Sequence, residues 1–163
     1  MVNETAIEYE QKIGERIAER VANLTHQTRY AHRRIISKIG GSPGTREESS
    51  LQSAVAAPFA SFSGEDLHST IFQKAAVLMR SLSLNHPFTD GNKRVSLTMT
   101  AAFLFEHGFG FKEALEDDAI VQFCLDLANH KKSLEEIAEW LRINADRSSA
   151  RSFREVMEKL HDV

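Results

Sequence analysis

The residues best suited to chemistry lie together between His86 and Arg94, in the sequence HPFTDGNKR. A helix is predicted to begin at about Asn92, so Lys93 and Arg94 place two cations in its first turn. A cation at the N-terminal end of a helix interacts unfavourably with the helix dipole, and each one destabilises the helix by roughly 0.3–1 kcal/mol. An anion held between the backbone N–H groups and these side chains reverses that penalty, and phosphate oxygens suit arginine bidentately. The pattern therefore predicts a phosphate-binding site.

A carboxylate and an imidazole accompany this phosphate site. Asp90 stands beside it, and a phosphate together with a carboxylate is a usual way of holding Mg²⁺, which prefers oxygen ligands. Pro87 disfavours helical backbone angles at His86, so the imidazole is expected on a loop at a helix end. A histidine that is neutral near pH 7 can take a proton from an incoming hydroxyl. The residue types alone predict phosphate binding, a metal ion and a general base.

Two strongly apolar helical patterns must position this segment. Before it, apolar residues recur at helical spacing from Glu65 to Leu82, which predicts a largely buried helix that ends near Asn85. After it, Val95 to Phe105 is apolar nearly all round, as expected of a helix enclosed by others, and Gly108 suits its C-terminal end. The candidate site is therefore expected where the two most buried helices join.

The rest of the chain also has helical patterns, and no convincing strand is found beyond the short connectors. Further helices are predicted over Ala6–Ile39 (one or two helices), around Leu51 and Val55, over Leu115–Ala128, from Ser133 to Ile143 and from Ser149 to Leu160. Gly40 to Gly44 is predicted to be a turn, and Ser133 with Glu136 forms a capping-box pattern. The fold class is predicted to be all-α.

Composition narrows the class of protein. The 163 residues are 42% hydrophobic, carry a formal net charge of -3 and include one cysteine. These values exclude a mainly disordered chain and a disulfide scaffold. The polar N-terminus and the short apolar runs predict neither a signal peptide nor a membrane-spanning helix. The small net charge gives no reason to expect nucleic acid as a partner, so we predict a cytoplasmic protein without membrane contact.

The segment from His86 to Arg94 resembles the signature of the Fic/Doc family, H-x-F-x-[D/E]-[G/A]-N-[K/G]-R, at every fixed position. The likeness is wider than the motif, because three earlier segments and a later one resemble the Doc ("death on curing") branch: Gly40 to Gly44, Leu51 to Pro58, Phe62 to Leu67 and Ser133 to Ile143. The resemblance implies one compact helical bundle over residues 1–163. Its Fic/Doc core would span 26–143, with helical extensions at 1–25 and 144–163.

Members of this family transfer part of a nucleoside triphosphate to a protein hydroxyl, which implies a role for each matching residue. His86 would be the general base, Phe88 the buried anchor of the loop and Asp90 the Mg²⁺ ligand. The phosphates of ATP would be bound by Thr89, Gly91, Asn92, Lys93 and Arg94. A connector that corresponds to the family's flap would hold the target chain beside the site, and it contains Phe59, Phe62, Gly64 and Glu65.

Two positions separate the branches of the family. Adenylylating Fic enzymes usually have glycine where this chain has Lys93, and arginine where it has Leu97. Both departures resemble Doc, whose members bind ATP in a reversed pose, transfer its γ-phosphate and act on a Tu-type elongation factor. The resemblance thus implies the toxin of a toxin–antitoxin pair, with a cognate antitoxin as partner. A Fic-type adenylyltransferase and a catalytically idle helical binding module are the alternatives.

Other reactive residues are interpreted as structural. The remaining histidines, among them His32, His107 and His130, lack metal-ligand spacing and are expected to be surface or internally bonded residues. Cys124 lies on an apolar helix face and is expected to be an inert core residue. The chain has no usable S/T-x-x-x-E-G/N segment of the family's self-inhibitory type, so we expect the enzyme to be silenced in trans.

Overall fold

The computed structural model describes residues 4–147, and the helix predicted from Ser149 to Leu160 lies outside them. Within this range the helices are α1 (Glu4–Ile39), α2 (Glu48–Ala56), α3 (Ile71–Leu84), α4 (Asn92–Glu106), α5 (Asp117–Ala128) and α6 (Leu134–Asn144), with a short 3₁₀ turn (Ala57–Phe59) after α2. Two-residue strands form two antiparallel pairs, β1 (Ser61–Phe62) with β2 (Glu65–Asp66) and β3 (Gly110–Phe111) with β4 (Ala145–Asp146). The predicted all-α class is confirmed.

Helix α1 is a single continuous helix of 36 residues. From Leu24 onward one face of the helix is buried, and the helix packs against α2 and α4. Nearer the N-terminus, apolar side chains such as Tyr9 and Ile13 are exposed. The described part of the predicted extension at 1–25 is therefore the exposed end of a helix that continues into the core. Although α1 is long, neither it nor any other helix within residues 4–147 is apolar enough to cross a membrane.

Helix α3 is the central helix of the bundle and contacts α2, α4, α5 and α6. It begins at Ile71, because Thr70 and Gln73 form a capping box at its N-terminus. The prediction that this helix begins at Glu65 is wrong. Glu65 belongs to β2, since Ser63 and Gly64 both adopt positive φ and turn the chain tightly back onto β1.

Helix α4 is enclosed by its neighbours, as its sequence predicts. Most of its residues are buried, including three hydroxyl side chains that hydrogen-bond within the core. Ser96, for example, donates to the carbonyl oxygen of Met79 on α3 at 2.7 Å. The helix ends at Glu106, and Gly108 follows with a φ of +80°, as expected of a C-terminal glycine. Helices α3 and α4 therefore form the buried pair that the candidate segment joins.

Helices α5 and α6 close the bundle. Ser133 and Glu136 form the predicted capping box at the start of α6. Cys124 on α5 is buried, and burial raises the pKa of its thiol to about 12, which agrees with an inert core residue. Directly after α6 the chain forms β4. The predicted extension at 144–163 is described only as far as residue 147. Its first residue, Asn144, ends α6, and the next two form β4, which pairs with β3.

Candidate active site

The segment from His86 to Arg94 forms the loop between α3 and α4 together with the first turn of α4. His86 follows the C-cap residue Asn85 with a φ of +48°, and Pro87 cannot continue the helix. His86 is therefore exposed on a loop at a helix end, as predicted. Gly91 is the N-cap of α4 with a φ of +78°, a left-handed conformation that favours glycine. Local sequence thus places both ends of the loop.

The side chain of Asn92 holds the loop closed. Its Oδ1 accepts a hydrogen bond from the backbone N–H of Phe88 at 3.0 Å, and its Nδ2 donates to the carbonyl of Phe88 at 2.9 Å. Phe88 itself is buried in the core, which agrees with its predicted anchoring role. Both ends of the Asn92 amide are engaged, which leaves the second hydrogen of Nδ2 and the backbone N–H to face a phosphate.

The turn after α1 braces the loop from the outside. The backbone N–H of Thr89 donates to the carbonyl of Gly44 at 3.1 Å, and that of Arg46 donates to the carbonyl of Pro87 at 2.8 Å. Thr45 and Phe88 form an isolated antiparallel bridge between these two contacts. The turn predicted from its glycines is therefore also a support for the candidate site.

Asp90 is supported from the same side. Its backbone carbonyl lies 3.1 Å from Nε2 of His32, which is buried on α1. Since a carbonyl oxygen only accepts, Nε2 must carry the hydrogen. Burial lowers the pKa of His32, which favours this neutral form. The carboxylate of Asp90 accepts from the backbone N–H of Gly91 at 2.7 Å.

A cavity of about 360 Å³ opens over the loop. It is lined by Ser83, His86, Thr89, Asp90, Gly91, Asn92, Lys93, Arg94 and Ala128. The residues that the sequence proposed for the base, the metal ligand and the phosphate contacts thus meet around one space. Sequence reasoning missed Ser83 and Ala128. Ser83 lies one turn before His86 and could have been found by helical spacing, whereas Ala128 enters only because α5 packs beside α4.

The cavity wall carries two positive charges, those of Lys93 and Arg94, that form no ion pair within the described residues. Nε of Arg94 is buried and has no hydrogen-bond partner among residues 4–147. No ion pair in that part of the chain involves Asp90, Lys93 or Arg94. Helix α4 also begins without a side-chain cap, so N–H groups of its first turn are left for a ligand or water. This arrangement suits an anion with several oxygen atoms.

A divalent cation fits this site as a companion of the anion. No group of three or more His, Cys, Asp or Glu side chains suited to a metal occurs within the described residues. Mg²⁺, however, usually binds through one or two carboxylates, substrate phosphates and water. Asp90 is exposed toward the cavity and makes no ion pair in the described chain. It can therefore supply the one protein oxygen that such an ion needs.

The predicted flap residues are not brought to this cavity. Phe62 is exposed on the β1–β2 hairpin, and Gly64 and Glu65 complete its turn and second strand. Phe59 lines a different cavity with residues near the C-terminus of α4, such as His107.

The hairpin is attached to the start of α3. Lys74, in the first turn of α3, binds the hairpin through Asp66 at 2.8 Å. His86 follows the other end of this 14-residue helix, which is about 21 Å long. Target docking by the hairpin remains a prediction.

Comparison with known proteins agrees with the geometry of the loop. Residues 23–104 match the family described as the Fic/DOC family. The chain is also 32% identical over 100 residues to Toxin Doc of Mycolicibacterium smegmatis (strain ATCC 700084 / mc(2)155), an alignment that covers 61% of this chain and 77% of that protein. This chain belongs to the Fic/DOC family. Within it, the chain belongs to the Doc branch, which confirms the predicted resemblance.

The Fic/DOC match covers the parts of the structure that form and brace the loop. It begins in α1 before His32 and includes the turn after α1, all of α2 and α3, and α4 as far as Leu104. The exposed start of α1 lies outside the match, as does α5, which contributes Ala128 to the cavity wall. The family match therefore includes every cavity-lining residue except Ala128.

Proposed function

We propose that this Fic/DOC chain is an enzyme that transfers the γ-phosphate of ATP to a hydroxyl of a target protein. The observation that carries the proposal is Arg94, whose buried Nε has no partner among the described residues and whose side chain lines one cavity with Lys93 and the uncapped start of α4. A buried donor without an acceptor is destabilising by about 1–3 kcal/mol, and by more when charged. A bound phosphate group removes that penalty, and His86 and Asp90 line the same cavity.

Each residue has a distinct part in this transfer. His86 accepts the proton of the target hydroxyl as its oxygen bonds to the γ-phosphorus and the bond from that phosphorus to ADP breaks. Arg94 and the N–H groups at the start of α4 stabilise the charge on the phosphate oxygens. Asp90 would hold Mg²⁺, which would supply neutralisation of the negative charge on the phosphate oxygens. Most of the catalysis is thus positioning and electrostatic stabilisation.

Two side chains support transfer of phosphate rather than AMP. Lys93 lines the cavity and places a long cation where adenylylating members of the family usually have glycine. Leu97 is 5% exposed, packs in the core and does not line the cavity. No phosphate ligand is therefore supplied from that position. This difference supports an ATP pose with the γ-phosphate facing His86.

The position of a label on ATP tests this choice directly. We expect purified protein, incubated with a Tu-type elongation factor or bacterial lysate, to transfer label from the γ position and none from the α position. A parallel reaction with His86→Ala gives the background from other kinases in a lysate. Label transferred only from the α position would identify an adenylyltransferase and show that Lys93 does not select the pose. No transfer by a folded, nucleotide-binding protein would favour an idle binding module.

We further propose that the chain is a toxin that acts in the cytoplasm and is silenced by a cognate antitoxin. The support is its relative, Toxin Doc, together with a sequence that lacks a usable self-inhibitory segment. A Tu-type elongation factor is the proposed target, because members of the Doc branch modify it. Loss of its function would halt protein synthesis and growth.

Growth arrest on expression is the test of the toxin proposal. Induction of the wild-type chain alone in a bacterial host is expected to stop growth, whereas His86→Ala at the same protein level is expected to leave growth unchanged. The measurement is a growth curve with the soluble protein quantified in both cultures. Normal growth with abundant folded wild-type protein, in a host whose elongation factor is labelled in vitro, would contradict the toxin proposal.

A further inference from the structure

Asp90 is held on two sides by residues from the C-terminal end of α1 and the turn after it. His32 contacts its backbone carbonyl, and Gly41 lies against its carboxylate. Both residues precede the loop by a long stretch of chain. Neither lines the cavity at His86. They therefore touch the candidate metal ligand from behind, outside the space for a nucleotide.

The contacts of His32 use both its ring and its N–H group. The ring stacks on Phe88 with centroids 4.0 Å apart and planes inclined by 8°. Nε2 lies 3.1 Å from the carbonyl oxygen of Asp90. His32 is only 4% exposed, and burying a polar ring is unfavourable unless it is hydrogen-bonded. A purely apolar residue would fill this core position equally well, so the N–H contact to Asp90 distinguishes histidine here.

The backbone of Gly41 lies so close to the carboxylate of Asp90 that no side chain fits between them. A Cβ at this position would lie 2.6 Å from Oδ2 of Asp90 and 3.0 Å from Cδ1 of Ile36. Its neighbour Gly40 has the same left-handed type of backbone, with a φ of +91° against +116° for Gly41, but a Cβ there would meet nothing within 4 Å. Only at Gly41 does the missing side chain make room for Asp90.

We propose that His32 and Gly41 are positioning residues that together set the place of the Asp90 carboxylate for a metal–nucleotide complex. His32 fixes the backbone of Asp90, and Gly41 leaves the space that the carboxylate needs in its present direction. The inference rests on the proposed function, because it needs a nucleotide phosphate to share the cation with Asp90. Residues that orient a metal ligand typically change metal affinity roughly 10–100-fold when replaced.

Two substitutions test the stacking role of the His32 ring and the hydrogen-bonding role of its N–H group separately. His32→Phe keeps a stacking ring and removes the donor, whereas His32→Gln keeps a donor near the position of Nε2. His107→Phe is the matched control, because His107 also bonds a backbone carbonyl, that of Phe103 at 2.7 Å, and packs on an aromatic ring. It lies at the opposite end of α4 from Gly91. The readouts are melting temperature and calorimetric affinity for ATP with Mn²⁺ and for ATP with chelator.

His32→Phe is expected to weaken Mn²⁺·ATP binding by roughly 10–100-fold, while ATP binding in chelator changes less than about twofold. His32→Gln should restore most of the loss, and His107→Phe should bind like the wild type. Equal losses with and without metal, or no restoration by glutamine, would overturn the positioning role of His32. A wild-type protein that binds neither form of ATP would instead overturn the proposed function, so the two failures are distinct.

Gly41 provides a second test that does not depend on the folding of a His32 variant. Gly41→Ala and Gly40→Ala both place a side chain at positive φ, so both carry backbone strain. Only Gly41→Ala pushes on the Asp90 carboxylate, and only it is expected to weaken Mn²⁺·ATP binding selectively over ATP in chelator. Equal binding of Mn²⁺·ATP by the two variants would overturn the assignment of Gly41.

Discussion

Replacing His86 by alanine is expected to reduce phosphate transfer by roughly 10²–10⁴-fold, the usual contribution of one positioned general base. Nucleotide affinity and melting temperature should change little, because His86 is exposed and makes no hydrogen bond to another described side chain. The measurement is initial rate of γ-phosphate transfer to the target at saturating ATP, with calorimetric ATP affinity and a thermal melt on the same samples.

His130→Ala is the matched control for this experiment. His130 also follows an asparagine C-cap, is exposed and has a positive φ of +59°. It does not line the cavity at His86, so its removal should leave transfer unchanged. A His86→Ala protein with wild-type turnover would remove His86 from the mechanism, and an equal loss in both variants would indicate a nonspecific effect.

Replacing Arg94 by methionine is expected to separate ligand binding from stability. Charge-assisted hydrogen bonds contribute about 1.5–3 kcal/mol each, so loss of the phosphate contact should weaken ATP binding by roughly 10–150-fold. The buried Nε has no partner among the described residues, so its removal should leave the melting temperature without ATP unchanged or raise it. The rise in melting temperature on adding ATP, which reports binding to the native state, should be smaller than in the wild type at the same ATP concentration.

Arg80→Met is the control, since Arg80 is exposed on α3 and does not line the cavity. It should keep both the ATP affinity and the ATP-induced rise in melting temperature. Thermal melts with and without ATP and calorimetry measure these quantities. A large fall in the melting temperature of Arg94→Met without ATP would contradict an unsatisfied guanidinium and would show that Arg94 is structural.

The sequence was sufficient for features whose causes act within a turn or two of the chain. Pro87 and Gly91 set the ends of the loop because their backbone preferences are local. The capping box at Ser133 and the enclosed character of α4 were also predicted correctly. The cavity-lining residues from His86 to Arg94 are nearly consecutive, so a single motif identified them together, and the family match confirmed the motif's family.

Sequence patterns were insufficient where a competing local structure, or a contact made only in the folded loop, decided the outcome. The apolar pattern from Glu65 predicted a helix, but the turn at Ser63 and Gly64 and the capping box at Thr70 moved its start to Ile71. Asn92 lines the cavity and its phosphate contact stays a prediction, but nothing in the sequence showed that its side-chain amide also bonds the backbone of Phe88. Such choices depend on which partner a side chain reaches once the loop has closed.

Tertiary structure alone decided what stands behind and beside the loop. His32 was expected to be a surface or internally bonded residue, and only the packing of α1 places its ring on Phe88 and its N–H group on Asp90. Gly41 shows nothing more than a turn in the sequence, and Ala128 shows only a helix end. Residue types and spacing specify backbone conformation and burial along one element. Which elements meet depends on the packing of faces that lie far apart in the chain.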